Sequence, residues 1–221
     1  MLRTYFNITV IAEWFTFIAA LILLNKKTGV WRLFILLLFL VLCTETIGWY
    51  QSYIVRSSNN SLLFNFLMIT SIGFFLWLMA QAKSMRKVRK YFYGLFIFFI
   101  FFAFVNLLFL QGFQQYNDIT EVTGDILLAI NSGYLILGLI KEEDDERSLF
   151  SNEFLWLAIG LLFSALGSSV LYTFLKELQA FRDKTHINVY GYINYVVNIL
   201  LYACLIIAFI CRRKTRSLQE L

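Results

Sequence analysis

Residues 91–110 read YFYGLFIFFIFFAFVNLLFL, twenty consecutive positions without a charge. A helix at the surface of a soluble protein needs a polar face, and this stretch has none to offer. The same apolar density recurs in 31–42 (WRLFILLLFLVL) and in 196–211. Over the whole chain 60% of residues are hydrophobic and 15% charged, which excludes a water-soluble globule.

The expected fold is therefore all-α, a polytopic membrane bundle of seven transmembrane helices at about 5–24, 31–54, 61–82, 91–111, 120–140, 150–175 and 188–211. Seven spans of about 20 residues use roughly 140 positions and leave about 80 for tails and connections. That leaves no room for a separate soluble catalytic or nucleic-acid-binding domain, and 1–221 reads as one domain without linkers or repeats. The fifth span is the least apolar, because Glu121 and Asp125 fall in its first turns. The sequence has no proline, which argues against the broken helices of many transporters. Arg3 precedes an apolar run with no A-x-A cleavage pattern, so the first span reads as retained.

The net charge of +5 is partitioned between alternate connections. Lys26, Lys27, Arg32, the 83–90 segment, Lys141, Arg147 and the tail Arg212–Arg216 put fourteen basic residues on one side, against five on the other. The positive-inside rule then puts the N-terminus outside and the C-terminus in the cytoplasm of a plasma (inner) membrane protein. Trp31 and Tyr91 are expected to anchor the inner interface, with Trp49, Tyr50, Tyr53, Tyr116, Tyr172, Tyr190 and Tyr192 at the outer one.

Depth sorts the polar residues. Glu13 lies eight residues below Tyr5 and Glu45 nine from Ile54, so at 1.5 Å per residue both sit about 12–14 Å below the outer surface. The same reckoning puts Asn65, Asn106, Asp125, Asn131, Asn194 and Asn198 in the outer half, while the inner half is almost wholly apolar. Thr9, Glu13, Thr16 and Ala20 share one helical face, as do Glu45, Gly48 and Ser52, and Gly191, Asn194, Asn198 and Tyr202. Buried carboxylates in lipid mark functional sites by default, and Glu13 and Glu45 sharing one proton would ease their burial. These eight acids and amides form the expected ligand site, an outward-facing pocket over a closed apolar floor. Asn, Ser and Thr also serve simply to join helices, and the small-residue spacing of Gly160, Ser164 and Ser168 reads as tight packing. The Phe-rich fourth helix reads as lipid-facing.

Other chemistries find little material. Cys43, Cys204 and Cys211 have no pairing or zinc spacing, and the single histidine, His186, reads as a loop residue. No cofactor or metal is expected. The last helix resembles that of rhodopsins in position but lacks a lysine for retinal. PQ-loop and ceramidase-like motifs are absent, and Gly167-Ser168 lacks the intramembrane histidine of a rhomboid site. The segments IAEWF, TETIGWY, LLFNF, FVNLLF and NILLYACLIIAFICRR resemble a group of small bacterial seven-helix membrane proteins, a likeness that implies the fold and no assigned activity.

The function expected is a membrane sensor or signalling component. A small polar or cationic ligand enters from outside, and a cytoplasmic protein partner reads the 83–90 segment, the charged 141–147 run and the C-terminal tail. The alternatives are a small proton- or cation-coupled transporter and a structural subunit of a membrane complex. An intramembrane enzyme has thin support in the residues, and the partners include the lipid bilayer but no nucleic acid.

Overall fold

The computed structural model describes residues 8–24, 26–55, 60–142 and 149–218. Arg3, Tyr5, Arg56 and most of the charged 141–147 run lie outside them, as do the side chains of Lys26, Lys27, Ser52, Tyr53 and Arg216. Among the described residues the chain forms eight α-helices: α1 (Ile8–Leu23), α2 (Leu33–Tyr50), α3 (Ser61–Met79), α4 (Arg89–Val105), α5 (Asp118–Glu142), α6 (Glu153–Thr173), α7 (Leu175–Thr185) and α8 (Val189–Leu218). Six of them are long and apolar enough to cross a membrane, so the chain is an all-α, multi-pass membrane protein. The seventh apolar helix, α1, is described over 16 residues, about 24 Å of rise, which is short of a full span.

Six helices close a ring. α1 packs on α2, α2 on α3, α3 on α5, α5 on α6, α6 on α8, and α8 returns to α1. α4 stands outside, packed on α3 and α5. Its outward Phe98, Phe101 and Phe104 are all more than half exposed, which suits contact with lipid. The physical reason is its pattern: α4 is apolar on every side and brings no polar stripe that must be hidden.

Glycines set the seam between α6 and α8. A Cβ at Gly160 would sit 2.8 Å from Cys204, and one at Gly167 would sit 2.5 Å from Val197, so α6 and α8 approach where these two residues meet α8. The packing seam therefore runs through Gly160 and Gly167. Ser164 and Ser168, expected to share it, face the interior instead.

At one end of the bundle, aromatic rings stack into a plug. Phe34 contacts Phe74, Phe75 and Phe209 at centroid distances of 5.0, 6.1 and 5.1 Å, and Trp31 adds Phe34, Phe154 and Phe209 at 5.4, 5.3 and 6.4 Å. Trp31 is thus a core residue, 1% exposed, and not the interfacial anchor its position suggested. Tyr91, 74% exposed, keeps an outward position. Beside the plug, Arg212 of α8 donates to Glu153 at the start of α6 at 2.6 Å, with its guanidinium 6.0 Å from the Trp31 ring.

Two elements depart from the expected run of plain spanning helices. α7 falls in a polar connection and buries none of its residues. It ends at His186, whose left-handed φ of 59° lets its N–H close back on Arg182. The second is the π-helical turn Asn106–Leu110 at the end of α4, where the Gln111 N–H reaches the Asn106 carbonyl at 2.9 Å.

Candidate functional site: an acid-lined cavity

The ring encloses a cavity of about 280 Å³. All six ring helices contribute to its wall, and α4 does not. At the end away from the aromatic plug the wall carries four carboxyl groups, Glu13, Glu45, Glu121 and Asp125, with no lysine, arginine or histidine among the described residues that line it. At the other end Phe34, Phe75, Leu161 and Leu205 close it. Past them, Trp31, Leu78, Met79, Leu157 and Phe209 are at most 1% exposed.

Each acid is placed by helix geometry. Glu13 shares the buried face of α1 with Val10, Thr16 and Ala20, and its Oε1 accepts a hydrogen bond from the Tyr202 hydroxyl at 3.2 Å. Glu45 of α2 is its acidic neighbour. Glu121 and Asp125 stand four residues apart on α5, on the face that continues through Leu128, Ser132, Leu135 and Leu139. That periodicity is why α5, the least apolar span in sequence, still packs as a ring helix. The acids at its start face inward while Ile126, Ile130 and Leu137 face out, each at least half exposed.

The hydrogen-bonding state of these acids is unusual. Among the described residues Glu13 Oε2, Glu121 Oε2 and Asp125 Oδ2 are buried and accept no hydrogen bond, although the Tyr116 and Tyr172 hydroxyls stand beside the Glu121 carboxyl. Glu13 is 3% exposed and Asp125 6%. An orphaned buried polar group costs roughly 1–3 kcal/mol, more when charged, and native proteins keep few of them without a use.

An aromatic rim completes the acidic end. Tyr116, in the connection before α5, stacks on Tyr172 of α6 with ring centroids 5.7 Å apart, and their hydroxyls lie 3.4 Å apart. Burial, and after it the charge of Glu121, pushes the Tyr116 hydroxyl above its ordinary range, so it stays a neutral donor. These tyrosines, expected as interfacial anchors, line the cavity. Asn198 of α8 donates to both the backbone and the side-chain oxygen of Asn194, at 2.8 and 3.0 Å.

Five of the eight expected site residues meet here: Glu13, Glu45, Asp125, Asn194 and Asn198. Asn65, Asn106 and Asn131 do not line the cavity. Asn65 donates to the Gln115 carbonyl and accepts from the Asn117 N–H, both at 2.9 Å, which pins the connection that carries Tyr116. Asn106 donates to Gln111, Asn117 and Thr120, tying the π-turn of α4 to the start of α5. Asn131 bonds the Leu127 carbonyl of its own helix at 2.7 Å. Gly191 serves the start of α8, where its N–H meets the Asn188 side chain at 3.0 Å.

Sequence reasoning left out Glu121, Tyr116, Tyr172, Ser164, Ser168 and Tyr202 as site residues. The signal for most of them was present. Glu121 is one turn before Asp125, Tyr202 one turn after Asn198, and Ser164, Ser168 and Tyr172 recur every four residues. Among the described residues, no three His, Cys, Asp or Glu side chains gather closely enough to hold a metal ion. No protein-family model, curated protein or solved structure matches the chain.

Proposed function

We propose that the protein is a membrane sensor that binds a small organic cation in the acid-lined cavity and reports its occupancy to a partner on the opposite face. The chain then crosses the bilayer seven times, α1 included, with its N-terminus outside an inner membrane, as the excess of Lys and Arg in the alternate connections favours. The observation that carries this reading is the acidity of the wall: four carboxyl groups, three of them with an orphaned oxygen, face one cavity lined by no cationic side chain among the described residues. A bound ammonium group supplies the missing donors and the missing charge, in a setting where water screens the attraction poorly. Tyrosine faces add cation–π contact.

Signalling fits better than transport because the cavity ends against the aromatic plug. A proton- or cation-coupled carrier needs a route past Trp31, Phe34 and Phe209, which are packed ring against ring. The reporting surface is the basic connection between α3 and α4, where Lys83, Arg86, Lys87 and Lys90 are exposed while Arg89 folds back onto the Ala80 carbonyl at 2.9 Å. Met85 of the same connection is fully buried against Gly138 of α5, so it moves with the helix that carries Asp125.

The test is ligand-dependent thermal stabilisation of the purified protein in detergent or nanodiscs, screened with alkylammonium and guanidinium compounds. A cation present at 100 times its Kd raises stability by about 2.7 kcal/mol. Glu13→Gln and Glu45→Gln are each expected to abolish most of that response. Stabilisation by anionic or neutral compounds only, or responses unchanged in both variants, would overturn the reading.

A further inference from the structure

The four acids are arranged as two pairs on facing walls. Glu13 and Glu45 come from neighbouring helices α1 and α2, with the Tyr202 hydroxyl on Glu13. Glu121 and Asp125 come from a single face of α5, beneath the stacked Tyr116 and Tyr172. In the ring order α1, α2, α3, α5, α6, α8, the helix α5 stands opposite α1. Both pairs line the same cavity.

We infer that the cavity is built for a dication with two separated ammonium groups, an α,ω-diamine or a longer polyamine, one end held by Glu13 and Glu45 and the other by Glu121 and Asp125. This rests on the cation-binding reading above and narrows it. A single inorganic dication needs its ligands gathered around one point, and among the described residues no three acidic, histidine or cysteine side chains are so gathered. A monoamine reaches one pair and leaves the other uncompensated. An orphaned, nine-tenths buried oxygen stands at each pole, Glu13 Oε2 on one wall and Asp125 Oδ2 on the other, so each pole lacks a donor by itself. The same lining carries Leu37, Leu38, Met68 and Leu128, apolar surface that a methylene chain prefers, together with the polar Ser164, Ser168, Asn194 and Asn198.

The experiment is calorimetric titration of the full chain in nanodiscs with butylamine and hexylamine against diaminobutane, diaminohexane and diaminooctane at matched ionic strength. The diamine of best-fitting length is expected to bind at least about tenfold more tightly than the monoamine of equal length. Asp125→Asn with Glu121→Gln, and separately Glu13→Gln, should each cost the diamine at least about tenfold in affinity, removing its advantage over the monoamine of equal length. Equal affinity of monoamine and diamine for the unaltered protein overturns the two-pole inference and leaves the cation-binding reading standing. Failure of every amine to bind overturns both. The comparison within the unaltered protein decides the matter even where a variant does not fold.

Discussion

Arg212→Ala is expected to lower the stability of the protein by about 3–5 kcal/mol, because it strands a buried carboxylate. Glu153 is 7% exposed and its Oε1 is held by the Arg212 guanidinium at 2.6 Å. The geometry around the pair is rigid: Asn152 caps α6 by accepting the Phe154 N–H at 2.9 Å, which holds Glu153 in the first turn, while Trp31 lies against the guanidinium. The helix terminus favours the acid, but only by about 0.3–1 kcal/mol, too little to replace the arginine. A melting curve should fall by roughly 6–20 °C. The double variant Arg212→Leu, Glu153→Leu removes both charges and should recover most of the loss. A fall of under about 2 °C for Arg212→Ala would mean that the pair is solvated and that this end of the bundle is looser than described.

Asp125→Leu has the opposite sign. It removes a 94% buried carboxylate by exposure (Asp125 is 6% exposed) that accepts no hydrogen bond among the described residues, and it replaces that group with an apolar one beside Leu128 and Ile72. The unliganded protein is expected to gain about 1–2 kcal/mol, or roughly 2–8 °C, while the stabilisation by a cationic ligand disappears. Gaining stability while losing response is what a site held ready for a ligand predicts, since the acid is paid for only when the ligand is present. A variant that is less stable than the parent would show that Asp125 holds the bundle together through contacts of its own, and the orphaned oxygen would lose its functional meaning. Measuring melting with and without ligand separates the two effects in one experiment.

Much of this architecture was legible in the sequence for a simple physical reason. Lipid imposes a length and a composition on each span, and uncharged runs such as 91–110 meet both. Rise per residue was enough to put Glu13 and Glu45 at one depth, and both line the same cavity. The rest depends on partners far apart in the chain. Asn65 and Asn106 carry the same intramembrane signature as Asn198, yet their partners are a connection near Gln115 and Asn117, and no periodicity encodes which amide meets a loop and which a cavity. Trp31 reads as an anchor from its place at a helix start, and only the meeting of α2, α6 and α8 makes it core. The small-residue spacing on α6 was visible, but whether Gly160 and Gly167 or Ser164 and Ser168 face α8 depends on a rotation of the helix that spacing alone leaves open. α7 was missed because a short helix that buries nothing has no hydrophobic stripe for lipid or core to select.

The claim on which the rest depends is that the cavity is blind, reachable from the acidic end and sealed at the aromatic one. Ser168 lines it, and a lone cysteine there, after replacement of Cys43, Cys204 and Cys211, reports access directly in sealed vesicles of known sidedness. A membrane-impermeant cationic thiol reagent is predicted to modify Ser168→Cys only from the face that carries Tyr116, and more slowly when an amine ligand is bound. Equal labelling from both faces, or labelling from the basic face alone, would contradict the account.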